Sequence, residues 1–137
     1  TTIMNIHVKI WDYERENRHH EEIASLLREY GCADHAYIMM VSNTCLEEFH
    51  RIAPDICRCK GYNGQNYVDD AIALGCEKVQ LFKPYFDEAT VKKAHDAGVL
   101  CNVFFADDVD EAKRYIDMGI DTILTNDYLK IKNGLGM

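Results

Sequence analysis

The chain has 137 residues, and 47% of them are hydrophobic, which is enough for one domain with a substantial core. Its formal net charge of −8 and its isoelectric point of about 5.1 argue against nucleic acid and anionic membrane surfaces as partners, because both attract positively charged proteins. No apolar run reaches the roughly 18 residues that a membrane span requires. We therefore expect a single domain over residues 1–137, with no membrane span.

Strand-like and helix-like patterns alternate along the whole chain. Short apolar runs predict six strands, at residues 3–10, 36–41, 56–60, 79–82, 100–105 and 123–125. Apolar residues three or four apart predict five helices between the strands, at residues 21–30, 46–52, 67–74, 88–97 and 108–118. Gly or Pro follows the C-terminal end of several of these helices. This alternation is typical of parallel α/β proteins and leaves two architectures open, a doubly wound sheet and a β/α barrel.

The cysteines and the glycine-rich loop carry little functional signal. Six cysteines lie mostly in or beside apolar stretches, and we interpret them as buried free thiols of a cytoplasmic protein. Cys57 and Cys59 share one face of a predicted strand, but their spacing is not that of a zinc finger. The loop at residues 61–64 lacks the spacing of a phosphate-binding loop, so we expect a flexible turn. The acids Asp107, Asp108 and Asp110 are expected to start a helix.

The C-terminal ends of the strands are the candidate site, because β/α barrels bind their ligands there. The residues at these ends are His7, Lys9, Met40, Lys60, Phe82, Lys83, Phe104, Thr125 and Asn126. His7 and Lys9 are two residues apart on one predicted strand, so they share a face. Parallel strands are normally apolar throughout, and a buried cation needs an anionic partner. We expect a phosphate or carboxylate ligand there; the alternative is that the pair projects into water.

Two segments resemble a known family. Residues 94–126 read Ala-His-Asp-Ala-Gly, a strand, a helix, and then Gly-Ile-Asp-Thr-Ile-Leu-Thr-Asn. This order resembles the C-terminal end of the glycerophosphodiester phosphodiesterases, and His95 falls in a turn where we expect a packing role. Residues 5–9, Asn-Ile-His-Val-Lys, are similar to the family's Asn-Ile-Glu-Ile-Lys strand. The resemblance covers nearly the whole chain and is strongest over residues 91–127.

The resemblance implies a TIM (β/α)8 barrel, of which this sequence contains six of eight strands, the third to the eighth. It implies that Lys9 binds the phosphate of the substrate and that Phe104, at the position of a family Trp, borders the glycerol. His7 stands where the family has an acidic ligand of a divalent cation, Mg²⁺ or Ca²⁺. The family's catalytic His-Arg-Gly, Glu-x-Asp and His-Asp motifs do not occur in this sequence, so it offers no catalytic residue of that type.

Several functional hypotheses follow. Members of the family hydrolyse a glycerophosphodiester to glycerol 3-phosphate and an alcohol, in glycerol and lipid metabolism, but this chain alone lacks a carrier of acid/base catalysis and is expected to be inactive. The alternative is a non-catalytic β/α module that binds an anion or a protein partner, and a flavodoxin-like binding domain is a third hypothesis. Six barrel strands leave two open edges, so we also expect closure by a second copy or by an N-terminal partner segment.

Overall fold

The computed structural model describes residues 3–9 and 18–137. Its six strands are β1 (Met4–His7), β2 (Ala36–Met40), β3 (Cys57–Lys60), β4 (Lys78–Phe82), β5 (Leu100–Phe104) and β6 (Thr122–Leu124). Its helices are α1 (Arg18–Glu29), α2 (Asn43–Ile52), α3 (Tyr67–Ala73), α4 (Glu88–Asp96), α5 (Val109–Asp117) and α6 (Tyr128–Leu135), with a short 3-10 turn at Ala33–His35. All six predicted strands and all five predicted helices are present. None of the described helices is long and apolar enough to cross a membrane.

The last helix, α6, was not predicted. Asp127 caps its start by accepting a hydrogen bond from the backbone N–H of Lys130 at 3.1 Å, and Gly136 ends it in the left-handed conformation with φ of 72°. Only Ile131 of this helix is buried. A helix with one buried residue shows little apolar periodicity, which is why the pattern of the sequence did not reveal it.

The order of the strands distinguishes between the two architectures. The strands lie in the order β1-β2-β3-β4-β5-β6, and each pairs in parallel with the next. A doubly wound sheet reverses the direction of strand addition partway, whereas a barrel adds every new strand on the same side. The sheet is therefore built as a barrel is, and the predicted parallel pairing of the first two strands is confirmed.

The two faces of this sheet have different surroundings. One face packs against the helices and carries the main core, which includes Ile38, Leu81 and Val103, each with no exposed surface. The opposite face, here called the inner face, carries a small separate cluster of Tyr37, Met39 and Cys59. The pairing register places fourteen strand residues on the inner face: Asn5, His7, Tyr37, Met39, Cys57, Cys59, Lys78, Gln80, Phe82, Leu100, Asn102, Phe104, Thr122 and Leu124.

Candidate functional site

The first strand brings His7 and Lys9 to the inner face. Exposure alternates along residues 3–9, and Met4, Ile6 and Val8 pack against the main core, so His7 and Lys9 point to the other side. The two residues therefore share a face, as their spacing predicts. Burial, together with the positive charge of Lys9, lowers the pKa of His7 from its ordinary value of 6.5. His7 is thus a neutral imidazole at pH 7, beside an ammonium group.

An aromatic wall, defined as Tyr62, Phe82, Tyr85 and Phe104, lies at the C-terminal ends of β3, β4 and β5. The rings of Phe104 and Phe82 stack with centroids 5.9 Å apart, and Phe82 stacks on Tyr62 at 5.4 Å. Tyr62 in turn stacks on Tyr85 at 5.0 Å. Phe104 is 42% exposed and Tyr85 is 57% exposed, so the wall presents open apolar surface. Phe104 therefore stands in a continuous surface, which the sequence did not indicate.

The wall depends on a loop that was predicted to be only a flexible turn. Gly61 is buried, and its backbone N–H donates to the carbonyl of Met40 at 2.8 Å. A Cβ atom at Gly61 would lie 2.9 Å from both Met39 Sδ and Val41 Cγ1, which is so close that one of these neighbours would have to shift. The start of this loop is therefore held tightly against β2, which places Tyr62 over Phe82.

Asp107 links the loops that follow β5 and β6. Its carboxylate accepts hydrogen bonds from the Asn126 side chain at 2.8 Å, the Asn126 backbone N–H at 2.7 Å and the Thr125 hydroxyl at 2.9 Å. These bonds, those from Asn126 above all, lower the pKa of Asp107. Asp108, not Asp107, caps α5, so the prediction of a helix-start role holds for Asp108 and is wrong for Asp107. A cavity of about 450 Å³ beside this link is lined in part by Phe104, Thr125 and Asn126.

Three other strand-end candidates lie away from the inner face. Met40 and Lys60 are in register with each other on the helix-covered side, and both are fully buried. The ammonium of Lys60 donates to the carbonyl of Val41 at 2.5 Å, and burial lowers its pKa. Lys83 is paired with Glu111 at 3.0 Å. These side chains are already bound within the protein, so we do not assign them to a ligand.

A buried polar layer crosses the middle of the inner face. The Asn102 side-chain amide donates to the Tyr37 hydroxyl at 2.9 Å, and burial raises the pKa of Tyr37 to about 12. Gln80 is in register with Asn102 and is 4% exposed. Within residues 3–9 and 18–137, both polar side-chain atoms of Gln80 and the side-chain oxygen of Asn102 have no hydrogen-bond partner. Such atoms are costly when buried, so this layer is suited to meet water or a further polar group.

The described residues do not form a cation site around His7. Within residues 3–9 and 18–137, at least three His, Cys, Asp or Glu ligand atoms converge only at His95, Cys101 and Asp121, at the other end of the sheet. A divalent cation such as Mg²⁺ or Ca²⁺ needs several oxygen ligands, and His7 offers none. A metal at His7 thus requires ligands from outside the described residues, and the metal-binding role of His7 stays a prediction.

Comparison with known protein families shows to which family the chain belongs. Residues 4–130 match the sequence profile of the glycerophosphoryl diester phosphodiesterase family. The chain belongs to this family. No curated protein matches it detectably at the level of sequence.

Solved structures show the same architecture. The chain superposes on a glycerophosphodiester phosphodiesterase from Parabacteroides distasonis with a TM-score of 0.77 and 21% identity, over 90% of this chain and 52% of that one. An Oleispira antarctica phosphodiesterase in complex with the product sn-glycerol 3-phosphate superposes with a TM-score of 0.83 and 16% identity, over 98% of this chain and 56% of that one. A Galdieria sulphuraria protein assigned to the glycerophosphodiester phosphodiesterases superposes with a TM-score of 0.86 and 20% identity, over 98% of this chain and 57% of that one.

At these identities the likeness establishes the fold alone. The chain spans about half the length of these three structures, between 52% and 57%. Its six parallel strands form a curled half-barrel, as predicted, and the doubly wound and flavodoxin-like alternatives are excluded.

Proposed function

We propose that this chain forms part of the substrate-binding surface of a glycerophosphodiester phosphodiesterase-like barrel, and that it does not itself carry the acid/base chemistry. Lys9 binds the phosphate, His7 contacts the phosphate or one position of a cation, and Phe104 borders the glycerol. The observation that carries the proposal is that all three residues lie on the inner face of a chain of this family, at or next to the C-terminal ends of their strands.

The chemistry of these groups fits an anionic ligand with an apolar side. The Lys9 ammonium provides a positive charge on an otherwise acidic chain, and neutral His7 is able to donate a hydrogen bond beside it. The aromatic wall provides contact area for the carbon atoms of the ligand. The substrate class is thus a small phosphodiester. The six free cysteines support a cytoplasmic location.

Binding of sn-glycerol 3-phosphate tests the phosphate site. We expect Lys9→Ala to weaken binding at least tenfold in isothermal titration calorimetry, since a charge-assisted hydrogen bond contributes about 1.5–3 kcal/mol. Lys92→Ala is the matched control, because Lys92 is an exposed lysine that pairs with Asp96 on α4. Equal affinity of the Lys9 variant and the wild-type chain would contradict the proposal.

Turnover tests the catalytic part of the proposal. The 137-residue chain should release no glycerol 3-phosphate from glycerophosphocholine with Mg²⁺ or Ca²⁺, because each missing acid or base costs about 10²- to 10⁴-fold. The product is measured with a coupled enzymatic assay. Activity that copurifies with the chain and disappears in Lys9→Ala would show that the chain is an enzyme by itself.

A second candidate function, binding of a protein partner, is favoured by the sheet edges. Within the described residues, β1 and β6 each pair on one side only, and Phe82, Leu100 and Phe104 of the inner face are between 37% and 43% exposed. Open edges and apolar surface recruit further strands. We expect a second copy or an N-terminal segment to close the sheet. Light scattering at micromolar concentration should therefore not show a stable 15.8 kDa monomer, and such a monomer with cooperative unfolding would refute this candidate.

A further inference from the structure

Three side chains of different ligand chemistry meet at the N-terminal end of the sheet, opposite to the proposed substrate site. His95 comes from the last turn of α4, Cys101 from β5, and Asp121 from the residue before β6. Their ligand atoms, one imidazole nitrogen, the thiol sulfur and one carboxylate oxygen, all lie within 4.8 Å of one another. The proposed function uses none of these residues, and the family resemblance predicts only a packing role for His95.

The backbone holds these three residues in place. Asp121 Oδ2 accepts a hydrogen bond from the backbone N–H of Cys101 at 2.7 Å and lies 2.9 Å from His95 Nε2. The backbone N–H of Asp121 donates to the carbonyl of Cys101 at 3.0 Å. Gly119 has φ of 97°, and a Cβ atom there would lie 3.5 Å from the His95 ring. The imidazole therefore packs over a glycine, and the carboxylate is oriented before any ligand arrives.

The donor set indicates which ion would fit. Nitrogen, sulfur and oxygen together suit Zn²⁺ or a similar transition metal, whereas Mg²⁺ and Ca²⁺ prefer oxygen alone. Metal–ligand distances of about 2.0–2.3 Å in a tetrahedron place ligand atoms roughly 3.3–3.6 Å apart, so shifts of about 1 Å complete the site. The side chains of His95 and Asp121 are 36% and 30% exposed, which gives an ion and a water molecule access.

We propose that His95, Cys101 and Asp121 bind Zn²⁺, with water in the fourth position. When the ion binds, the thiol proton of Cys101 leaves to solvent and a sulfur–metal bond forms. The hydrogen bond between His95 and Asp121 breaks, and the imidazole exchanges protons with solvent, so that Nε2 loses its proton and Nδ1 carries one. Nε2 and the Asp121 carboxylate then each form a bond to the metal. The bound ion links α4, β5 and β6 and stabilises the folded chain by mass action.

Without the ion, the same residues form only a structural link between α4 and β5. Burial and the charge of Asp121 raise the pKa of Cys101 to about 12, so the thiol is then protonated. The proposal and the structural link make different predictions for added metal, because only the proposed site has an affinity that depends on both His95 and Cys101.

Titration with Co²⁺ tests the proposal, since a thiolate bound to Co²⁺ gives a charge-transfer absorption in the near ultraviolet. We expect one Co²⁺ per chain, displaced by one Zn²⁺, and a rise in the unfolding temperature when Zn²⁺ is added. Loss of a residue that only hydrogen-bonds a metal ligand weakens metal binding about 10- to 100-fold. Cys101→Ser and His95→Ala each remove a ligand itself, so each should weaken Co²⁺ binding at least that much. His95 is partly exposed, so its variant is not expected to disturb folding, which circular dichroism checks.

Two control variants test whether Cys57 or Cys59 binds the ion instead. Cys57→Ser removes an exposed thiol, and Cys59→Ser removes a buried thiol of the inner face; both should bind Co²⁺ as the wild-type chain does. The proposal is overturned if the wild-type chain gives no charge-transfer band. It is also overturned if the band survives unchanged in either Cys101→Ser or His95→Ala, or disappears in Cys57→Ser, because the ion is then bound elsewhere.

Discussion

Replacing Gly61 with alanine should disturb the contact on which the aromatic wall depends. The new methyl group would lie 2.9 Å from Met39 Sδ and Val41 Cγ1 and 3.3 Å from the carbonyl oxygen of Met40. The Met39 thioether is flexible, but the carbonyl is fixed because it accepts the N–H of Gly61 itself at 2.8 Å. Overpacking of this kind costs about 1–3 kcal/mol. For a chain of this size, we expect the unfolding temperature to fall by about 3–5 °C per kcal/mol.

Urea unfolding followed by circular dichroism measures the free energy of unfolding of this variant. Val41→Ala removes one of the two clashing side-chain atoms and provides the control. Val41 is 41% exposed, so its truncation alone should cost little. If the clash is the cause, the double variant should be more stable than the sum of the single effects predicts, by at least about 0.5 kcal/mol.

Two results would refute this reasoning. The free energy of unfolding of Gly61→Ala could lie within about 0.3–0.5 kcal/mol of the wild-type value, which would mean that the loop moves away without cost. Alternatively, the effects of Gly61→Ala and Val41→Ala could simply add, which would mean that Val41 does not press on this position. In either case the loop would be the flexible turn that the sequence predicts, and the position of Tyr62 would not depend on Gly61.

Three further variants test other parts of the fold. His20 is fully buried, neither of its ring nitrogens has a hydrogen-bond partner among the residues that the structure describes, and burial lowers its pKa. The unfolded chain therefore binds a proton more readily, so the free energy of unfolding should fall as the pH drops below about 6.5, and less steeply in His20→Leu; equal slopes would contradict this. Arg58→Met removes a buried guanidinium that donates to three backbone carbonyls and should cost about 2–4 kcal/mol in urea unfolding, with Arg58→Lys in between. Asp107→Ala should speed amide exchange of Asn126 about tenfold, because one hydrogen bond is lost, and unchanged exchange would show that the loop is held by other contacts.

The architecture could be predicted because its cause is local. Each strand is a short apolar run and most helices carry an apolar stripe, so their alternation predicts parallel strands without knowledge of any tertiary contact. The same reasoning gave the shared face of His7 and Lys9, since side chains two apart on a strand point the same way. It failed for α6, whose sequence contains start and stop signals but only one buried residue, Ile131.

The rest of the site depends on contacts between distant residues. Lys60 was a candidate because it ends a predicted strand, but the face it occupies follows from the register of β3 with β2, which no single segment specifies. Asp107 has the composition of a helix start, yet its partners lie 18 and 19 residues further along the chain. Nothing in the sequence singles out Gln80, because an amide inside a strand has no distinctive pattern.

Closure of the sheet should affect both the polar layer of the inner face and the proposed phosphate site. Gln80 and Asn102 together bury three polar side-chain atoms that have no partner in the described part of the chain, and each such atom costs about 1–3 kcal/mol. A second copy that closes the sheet beside β1 should also exclude water near Lys9 and so strengthen the attraction to phosphate that we propose for Lys9. Affinity for sn-glycerol 3-phosphate should therefore increase with protein concentration if a second copy closes the sheet. Affinity that stays constant while light scattering shows association would mean that the copies meet elsewhere, away from β1 and the inner face.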